Sequence, residues 1–416
     1  MLDIAALLIT LTALFSYLNY RVFKLPPTIG VMTIALVLSL ILIGLGELGF
    51  VEIEQRAEAI IGSIDFNEVL LHGMLSLLLF AGALHIDLAT LASKKWPIGI
   101  LATVGVIAST LLVGTASWIV LNGLFSVQIS FLHCLLFGAL ISPTDPIAVL
   151  GILKSAQAPQ SLEIKIVGES LFNDGVAVVV FTILLSLVLG GEEVTVGSAL
   201  LLFVEEALGG IVFGLVIGFI AYQMLKSIDS YDVEILITLA LVLGGYALAI
   251  HLHVSGPIAM VVAGLMIGNH GRNFAMSETS RENLDTFWEL IDEILNAVLF
   301  VLIGLEVIIL TFEGRYLLAA VLMIPCVLLI RFICVGVPIR IMRQRFHIEF
   351  SPHAVKILTW GGIRGGISVA LALSLPAGSE REILLAITYV VVLFSILVQG
   401  LTIGRLVKAT VSSEAP

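Results

Sequence analysis

Charge is scarce in this sequence. Of its 416 residues only 12% are Asp, Glu, Lys or Arg, against roughly a quarter in a soluble globular domain. With 59% of positions hydrophobic and a mean hydropathy of +1.14, no polar stretch is long enough for a soluble catalytic domain. Nor do the basic residues form a patch: the net charge is −11, and a nucleic-acid partner has no electrostatic footprint to bind. Cysteine is equally sparse. Cys134, Cys326 and Cys334 each fall in an apolar run, where a thiol is a small packing group rather than a disulfide or zinc ligand. A nucleotide loop, a metal-ligating cluster and a nucleophile–base constellation are all missing, so neither an enzyme nor a cofactor is expected. The first residues lack a basic leader and run into Arg21 and Lys24, which reads as a retained first helix rather than a cleaved signal.

What the chain does have is apolar runs of about 20 residues, the length of a membrane-spanning helix. An all-α polytopic membrane protein is expected, with thirteen spans at about 2–20, 28–46, 66–86, 97–121, 129–152, 162–189, 197–225, 232–250, 255–269, 286–310, 315–339, 354–375 and 382–405. Lys/Arg asymmetry sets the orientation. With the N-terminus outside, the cytoplasmic segments collect fifteen of the twenty basic residues, from Arg21 and Lys24 through Lys94, Lys95, Lys154 and Arg272 to Arg405 and Lys408, whereas the external ones hold only Arg56, Arg315 and Arg381. The expectation is therefore a multi-pass protein of the cell (inner or plasma) membrane with its C-terminus in the cytoplasm. Thirteen spans divide into two six-helix units joined by a linking helix, in inverted topology, and under that pairing the fifth span of each unit is interrupted, by "SPTDP" and by "GGIRGGIS". Paired broken helices at corresponding positions point to a transport site.

Pro143 and Pro146 have no N–H to give to the carbonyls of Ala139 and Ser142, so the fifth span must open there. Such backbone survives in a membrane only where it lines a cavity or meets other polar groups. Freed carbonyls, the Ser142 and Thr144 hydroxyls and the Asp145 carboxylate make an oxygen-rich patch, and hard cations bind oxygen. The next span, "KIVGESLFNDGVAVVVF", adds Glu169, Ser170, Asn173 and Asp174. Ser170 and Asp174 are four apart on one helical stripe, and Glu169 and Asn173 share the adjacent one. Three carboxylates at this depth cost roughly 7–10 kcal/mol on insertion scales, which demands a functional reason. Desolvation favours the protonated carboxyl and a bound cation favours the ionised one. Mutually exclusive occupancy by H⁺ and a cation is antiport in outline.

Arg331 has no carboxylate in its own helix, and a cross-helix pair with Glu169 is the economical solution, leaving Asp174 free to cycle. Arg364 stands among glycines. Spacing leaves two roles open for it, screening the crossing of the broken helices or snorkelling to the cytoplasmic side. His72, His85 and His133 lie in or at spans and are read as single interhelical hydrogen-bonding groups.

Taken together, "LLFAGALHIDL", "SPTDP", "GESLFNDG" and "GGIRGG" resemble the NhaP-like sodium/proton antiporters of the cation:proton antiporter-1 family, kin of the animal sodium/proton exchangers. The resemblance runs along nearly the whole chain. It implies an NhaA-like antiporter fold with crossed discontinuous helices, in a homodimer. A dimerisation domain, about 1–90 and 197–310, would stand beside a moving core domain, about 97–189 and 315–405. It further implies that Asp174 carries the ion and the proton in turn, with Ser170, the Thr144 carbonyl and Asp145 completing a Na⁺ site and Asn173 preceding it in an Asn-Asp pair. Glu169 and Arg331 resemble the family's buried ion pair. The Asn-Asp form implies electroneutral exchange of one Na⁺ (or Li⁺) for one H⁺; a K⁺/H⁺ or broad monovalent-cation exchanger is the alternative. Ala81 departs from the pattern, standing where a number of family members have a glutamate, so no carboxylate ligand is expected from the third span.

Overall fold

The computed structural model describes residues 2–62, 64, 66, 68–146, 149, 160–190, 196–310, 314–348 and 350–411. Lys154, the end of the fifth expected span and the acidic loop at Glu192 and Glu193 lie outside them, as do the side chains of His72 and Arg315.

Every regular element among the described residues is a helix. Eight are long and apolar enough to cross a membrane: Asp3–Phe23, Pro27–Glu47, Lys95–Leu124, Glu163–Val188, Leu201–Lys226, Tyr231–His251, Tyr316–Arg345 and Ser379–Thr410. The other expected spans drop out of that count for three physical reasons. Phe131–Ile141 ends at a break, and the pair Ala354–Trp360 and Gly366–Leu373 flanks another. Leu75–Leu84 and Gly256–Met266 are short helices extended by π-helical turns at Glu68–Met74 and Ile267–Gly271. Glu278–Glu306 begins in a charged stretch, capped by the Ser277 side chain on Ser280 N at 3.3 Å, and carries too many charges in its first half to count as an apolar span. One helix arises where a polar loop was expected: Val51–Gly62, whose Glu52 and Glu54 sit in the first turn, where carboxylates favour the helix dipole.

Two hydrophobic cores organise the bundle. One gathers the first two spanning helices, Phe131–Ile141, the second half of Glu278–Glu306 and most of the chain beyond Gly314. The other gathers Leu75–Leu84, Val196–Lys226, Tyr231–His251, Gly256–Met266 and the first half of Glu278–Glu306. Trp288 anchors the second core, stacked 4.7 Å from Phe80 and donating its Nε1–H to Thr238 Oγ1 at 3.1 Å. The helix Gln160–Val188 gives Ile166 and Phe181 to the first core and Leu171 to the second. It therefore runs along the seam between them.

Lipid offers no hydrophobic drive between helices, so close packing does that work through small residues. Gly138 meets Val104–Trp118 so closely that a Cβ there would overlap the Thr110 carbonyl and sit 3.0 Å from Gly114 N. Ser39 Oγ donates to Gly304 O at 2.8 Å, tying Pro27–Glu47 to Glu278–Glu306.

Candidate functional site

The helix Phe131–Ile141 starts on Ser130, whose side chain accepts from His133 N at 3.3 Å. It stops at Ser142, and 143–145 have no regular structure. The stop is proline chemistry: with no N–H on Pro143 and Pro146, the carbonyls of Ala139 and Ser142 lose their helical donors. Ser142 N turns back to Ala139 O at 3.3 Å. The Ser142 carbonyl is met from the other break, where Arg364 Nη1 donates to it at 2.6 Å and to Pro143 O at 3.0 Å. Arg364 is only 3% exposed. Of its two candidate roles it takes the first, because a guanidinium held by two mid-span carbonyls does not snorkel.

The two interrupted stretches also touch through their backbones. Asp145 N donates to Ile363 O at 2.7 Å, and Arg364 N donates to Ser395 Oγ at 2.9 Å. Glycine is needed at this crossing for want of space. A Cβ on Gly365 would overlap the Asp145 side chain, and one on Gly362 would lie 2.8 Å from Arg331 Nε.

The helix Gln160–Val188 carries the other half. Asn173 clamps Thr144: its Oδ1 accepts from Thr144 N at 3.3 Å and its Nδ2 donates to Thr144 Oγ1 at 2.8 Å. Thr144 Oγ1 also lies 3.0 Å from Ser170 Oγ. Glu169 turns elsewhere and pairs with Arg331, Oε1 to Nη1 at 2.6 Å, with the two side chains only 2% and 9% exposed. The two expected stripes are thus redistributed: Ser170 and Asn173 both hold the broken span, and Glu169 alone meets the arginine. Asp174 differs from all three. It lines a cavity of about 620 Å³, and among the described residues its carboxylate accepts no hydrogen bond and joins no ion pair.

Thr144, Asp145 and Asp174 all line this cavity, whereas Ser170, Asn173 and Glu169 do not. Ala81 also forms part of the wall, so the third span contributes a methyl group there and no oxygen. Also lining the cavity are the exposed Asp87 and Glu289, which mark its rim, the part-buried Glu163, Asp285 and Asp292, and the buried Asn296 and Ser368. The Thr90 hydroxyl and N–H donate to Asp87, the N–H at 2.6 Å, and hold its carboxyl below the usual carboxylate range. Sequence reasoning passed over the rim. The signal was present: Asp285, Glu289 and Asp292, spaced four and three apart, share one face of Glu278–Glu306, but Asp285 fell just outside the expected span.

His85 and His133 bond locally rather than between helices, and the side chain of His72 lies outside the described residues. His85 Nδ1 lies 2.9 Å from Ala81 O in its own helix, and His133 Nδ1 is 2.8 Å from Ser130 Oγ. The three cysteines are free thiols.

Comparison with known proteins places the chain in a family of ion exchangers. The family model described as "Sodium/hydrogen exchanger, transmembrane" matches residues 8–409. The Na⁺/H⁺ antiporter NhaP of Pseudomonas aeruginosa is 57% identical over 411 residues, covering 98% of this chain and 96% of its own. The Na⁺/H⁺ antiporter NhaH of Halobacillus dabanensis is 37% identical, covering 90% of this chain and 91% of its own. The structure of the sodium proton antiporter MjNhaP1 from Methanocaldococcus jannaschii at pH 8 superposes with a TM-score of 0.73 at 20% identity, over 97% of this chain and 96% of that one. At that identity the likeness speaks for the fold.

Proposed function

Because the chain belongs to the sodium/hydrogen exchanger family, we propose that it is a secondary active transporter exchanging Na⁺, or Li⁺, for H⁺ one for one. The observation that carries this reading is Asp174: a carboxylate 7% exposed, facing a cavity, beside a glutamate already neutralised by Arg331 at 2.6 Å. Na⁺ is drawn in by the negative rim and exchanges part of its hydration shell for oxygens of Asp174, Asp145, Ser170 and the Thr144 carbonyl. A proton then replaces it on Asp174. Asn173 carries no titratable proton and has both ends of its amide engaged on Thr144. The loaded site thus has the same charge with Na⁺ on an ionised Asp174 as with H⁺ on a neutral one, which is why the exchange is electroneutral.

The reading also entails alternating access. The core domain, about 97–189 and 315–405, moves against about 1–90 and 197–310, which also forms the homodimer contact. In the proposed architecture thirteen spans form two inverted six-helix units with the N-terminus outside. With that orientation the cavity mouth, lined by Asp87 and by Asp285 paired with Arg272, faces the cytoplasm in this reading.

The test is exchange in proteoliposomes followed by an internal pH dye, with Na⁺, Li⁺ and K⁺ added in turn and the membrane potential set by K⁺ and valinomycin. Na⁺-driven proton efflux that ignores the potential is expected. A rate that tracks the potential overturns electroneutrality, K⁺ equal to Na⁺ overturns the substrate assignment, and cation flux without proton counterflow overturns exchange.

A further inference from the structure

Asp292, on Glu278–Glu306, lines the same cavity as Asp174, and the exchange reading gives it no task. One turn further along, Asn296 is 1% exposed. Its Nδ2 donates to the Asp292 backbone carbonyl at 2.8 Å, and because only the amide nitrogen can donate, this contact fixes which end of the side chain is which. Asn296 Oδ1 is then left buried without a hydrogen-bond partner. Ser368, on Gly366–Leu373, repeats the pattern: 1% exposed, on the cavity wall, with its Oγ unpartnered.

Buried oxygens are nearly always bonded, because leaving one unpaired forfeits its hydration for nothing. Two such oxygens on one cavity, beside a carboxylate within electrostatic reach of Asp145, have the composition of a cation's coordination shell. One carboxylate with two neutral oxygens suits a single positive charge. A divalent or transition-metal site would want more: among the described residues, no group of three or more His, Cys, Asp or Glu could hold a metal ion.

We propose that the Asp292 carboxylate, Asn296 Oδ1 and Ser368 Oγ form a second, approach subsite for a monovalent cation, from which the ion passes to Asp145 and Asp174. The subsite rests on the exchange reading for its role, though not for its ability to bind. It lets the ion shed water in two stages, with the wall of Glu278–Glu306 supplying oxygens before the broken helices do. Asp292 also adds negative charge opposite Asp145, and the arriving cation offsets it.

Two measurements on the full-length protein test this. In proteoliposomes, Asp292→Asn should raise the apparent KM for Na⁺ about tenfold with the rate at saturating Na⁺ unchanged, and Asn296→Ala and Ser368→Ala should raise it by about threefold each. In detergent, equilibrium ²²Na⁺ binding should persist in Asp174→Ala and vanish when Asp292→Asn is added. Unchanged KM in all three variants, a lowered maximal rate at unchanged KM, or ²²Na⁺ binding that survives Asp174→Ala/Asp292→Asn each overturns the subsite, water then being what pairs the two oxygens. Should Asp292→Asn fail to assemble, the Asn296 and Ser368 variants give the same reading. Should the wild type show no exchange while Asp174→Ala still binds Na⁺ through Asp292, the subsite stands and the exchange reading falls.

Discussion

Replacing Arg331 by alanine removes a guanidinium 2.6 Å from Glu169 and leaves that carboxylate, 1% exposed, without its ion-pair partner. Breaking a buried pair by deleting one partner costs about 3–5 kcal/mol, far more than the pair's net worth, because the surviving charge keeps its desolvation penalty. Arg331→Ala falls within that range, since Glu169 is buried away from water. Glu169→Gln should cost less: the stranded guanidinium is 9% exposed and has the Leu358 carbonyl 3.4 Å away. The control is Asp174→Asn. It conserves shape and removes a buried charge that has no partner to lose, so it should not destabilise the protein. At roughly 2 °C per kcal/mol, the scale of larger chains, Arg331→Ala should melt about 6–10 °C below Asp174→Asn. The assay is thermal unfolding of the detergent-solubilised protein followed by loss of the monodisperse peak. A further variant separates pairing from packing: Glu169→Gln/Arg331→Met removes both charges and should recover most of the loss. If Arg331→Ala and Asp174→Asn melt together, the pair is not the structural element argued here.

Other outcomes follow from the crossing of the broken spans. Arg364→Ala strands the Ser142 and Pro143 carbonyls and should cost about 2–4 kcal/mol in the same melt, with Arg364→Lys losing less. Gly365→Ala drives a methyl group into the Asp145 side chain, and should abolish transport in vesicles while the protein still inserts and elutes as a single species. Asn173→Ala breaks two hydrogen bonds to Thr144, should cost about 1–3 kcal/mol, and should raise the KM for Na⁺ because the Thr144 segment loses its clamp. Gly138→Leu should destabilise the packing of Val104–Trp118 on Phe131–Ile141 by about 1–3 kcal/mol or more, read as a lower melting temperature and poorer membrane expression.

Residues whose role follows from backbone chemistry were legible in the sequence. Pro143 and Pro146 dictated the opening of the fifth span, and the unpaired arginine at 331 called for the glutamate at 169; both lie where the argument put them. Side-chain aim was less legible. Helical spacing placed Asn173 beside Glu169, but it could not say that Asn173 turns toward Thr144, which depends on where a different helix has broken. The role of Arg364 also waited on the crossing, because the carbonyl it serves lies 222 positions away in the chain. Of the acids on Glu278–Glu306, Asp285 was missed because the helix is charged in its first half and the expected span began at 286; Glu289, Asp292 and Asn296 lay inside that span and were passed over. Helix count suffers from the same physics, since the interrupted and charge-bearing helices that build the site are the ones a length-and-hydropathy criterion discards.

The central claim is that a single carboxylate, Asp174, carries Na⁺ and H⁺ in turn. Its most direct test is ²²Na⁺ uptake into proteoliposomes driven by an outward proton gradient, comparing the wild type with Asp174→Asn at equal reconstituted protein. The account predicts uptake by the wild type, with release of one proton per ion, and none above protein-free vesicles for Asp174→Asn. Gradient-driven uptake retained by Asp174→Asn would contradict it.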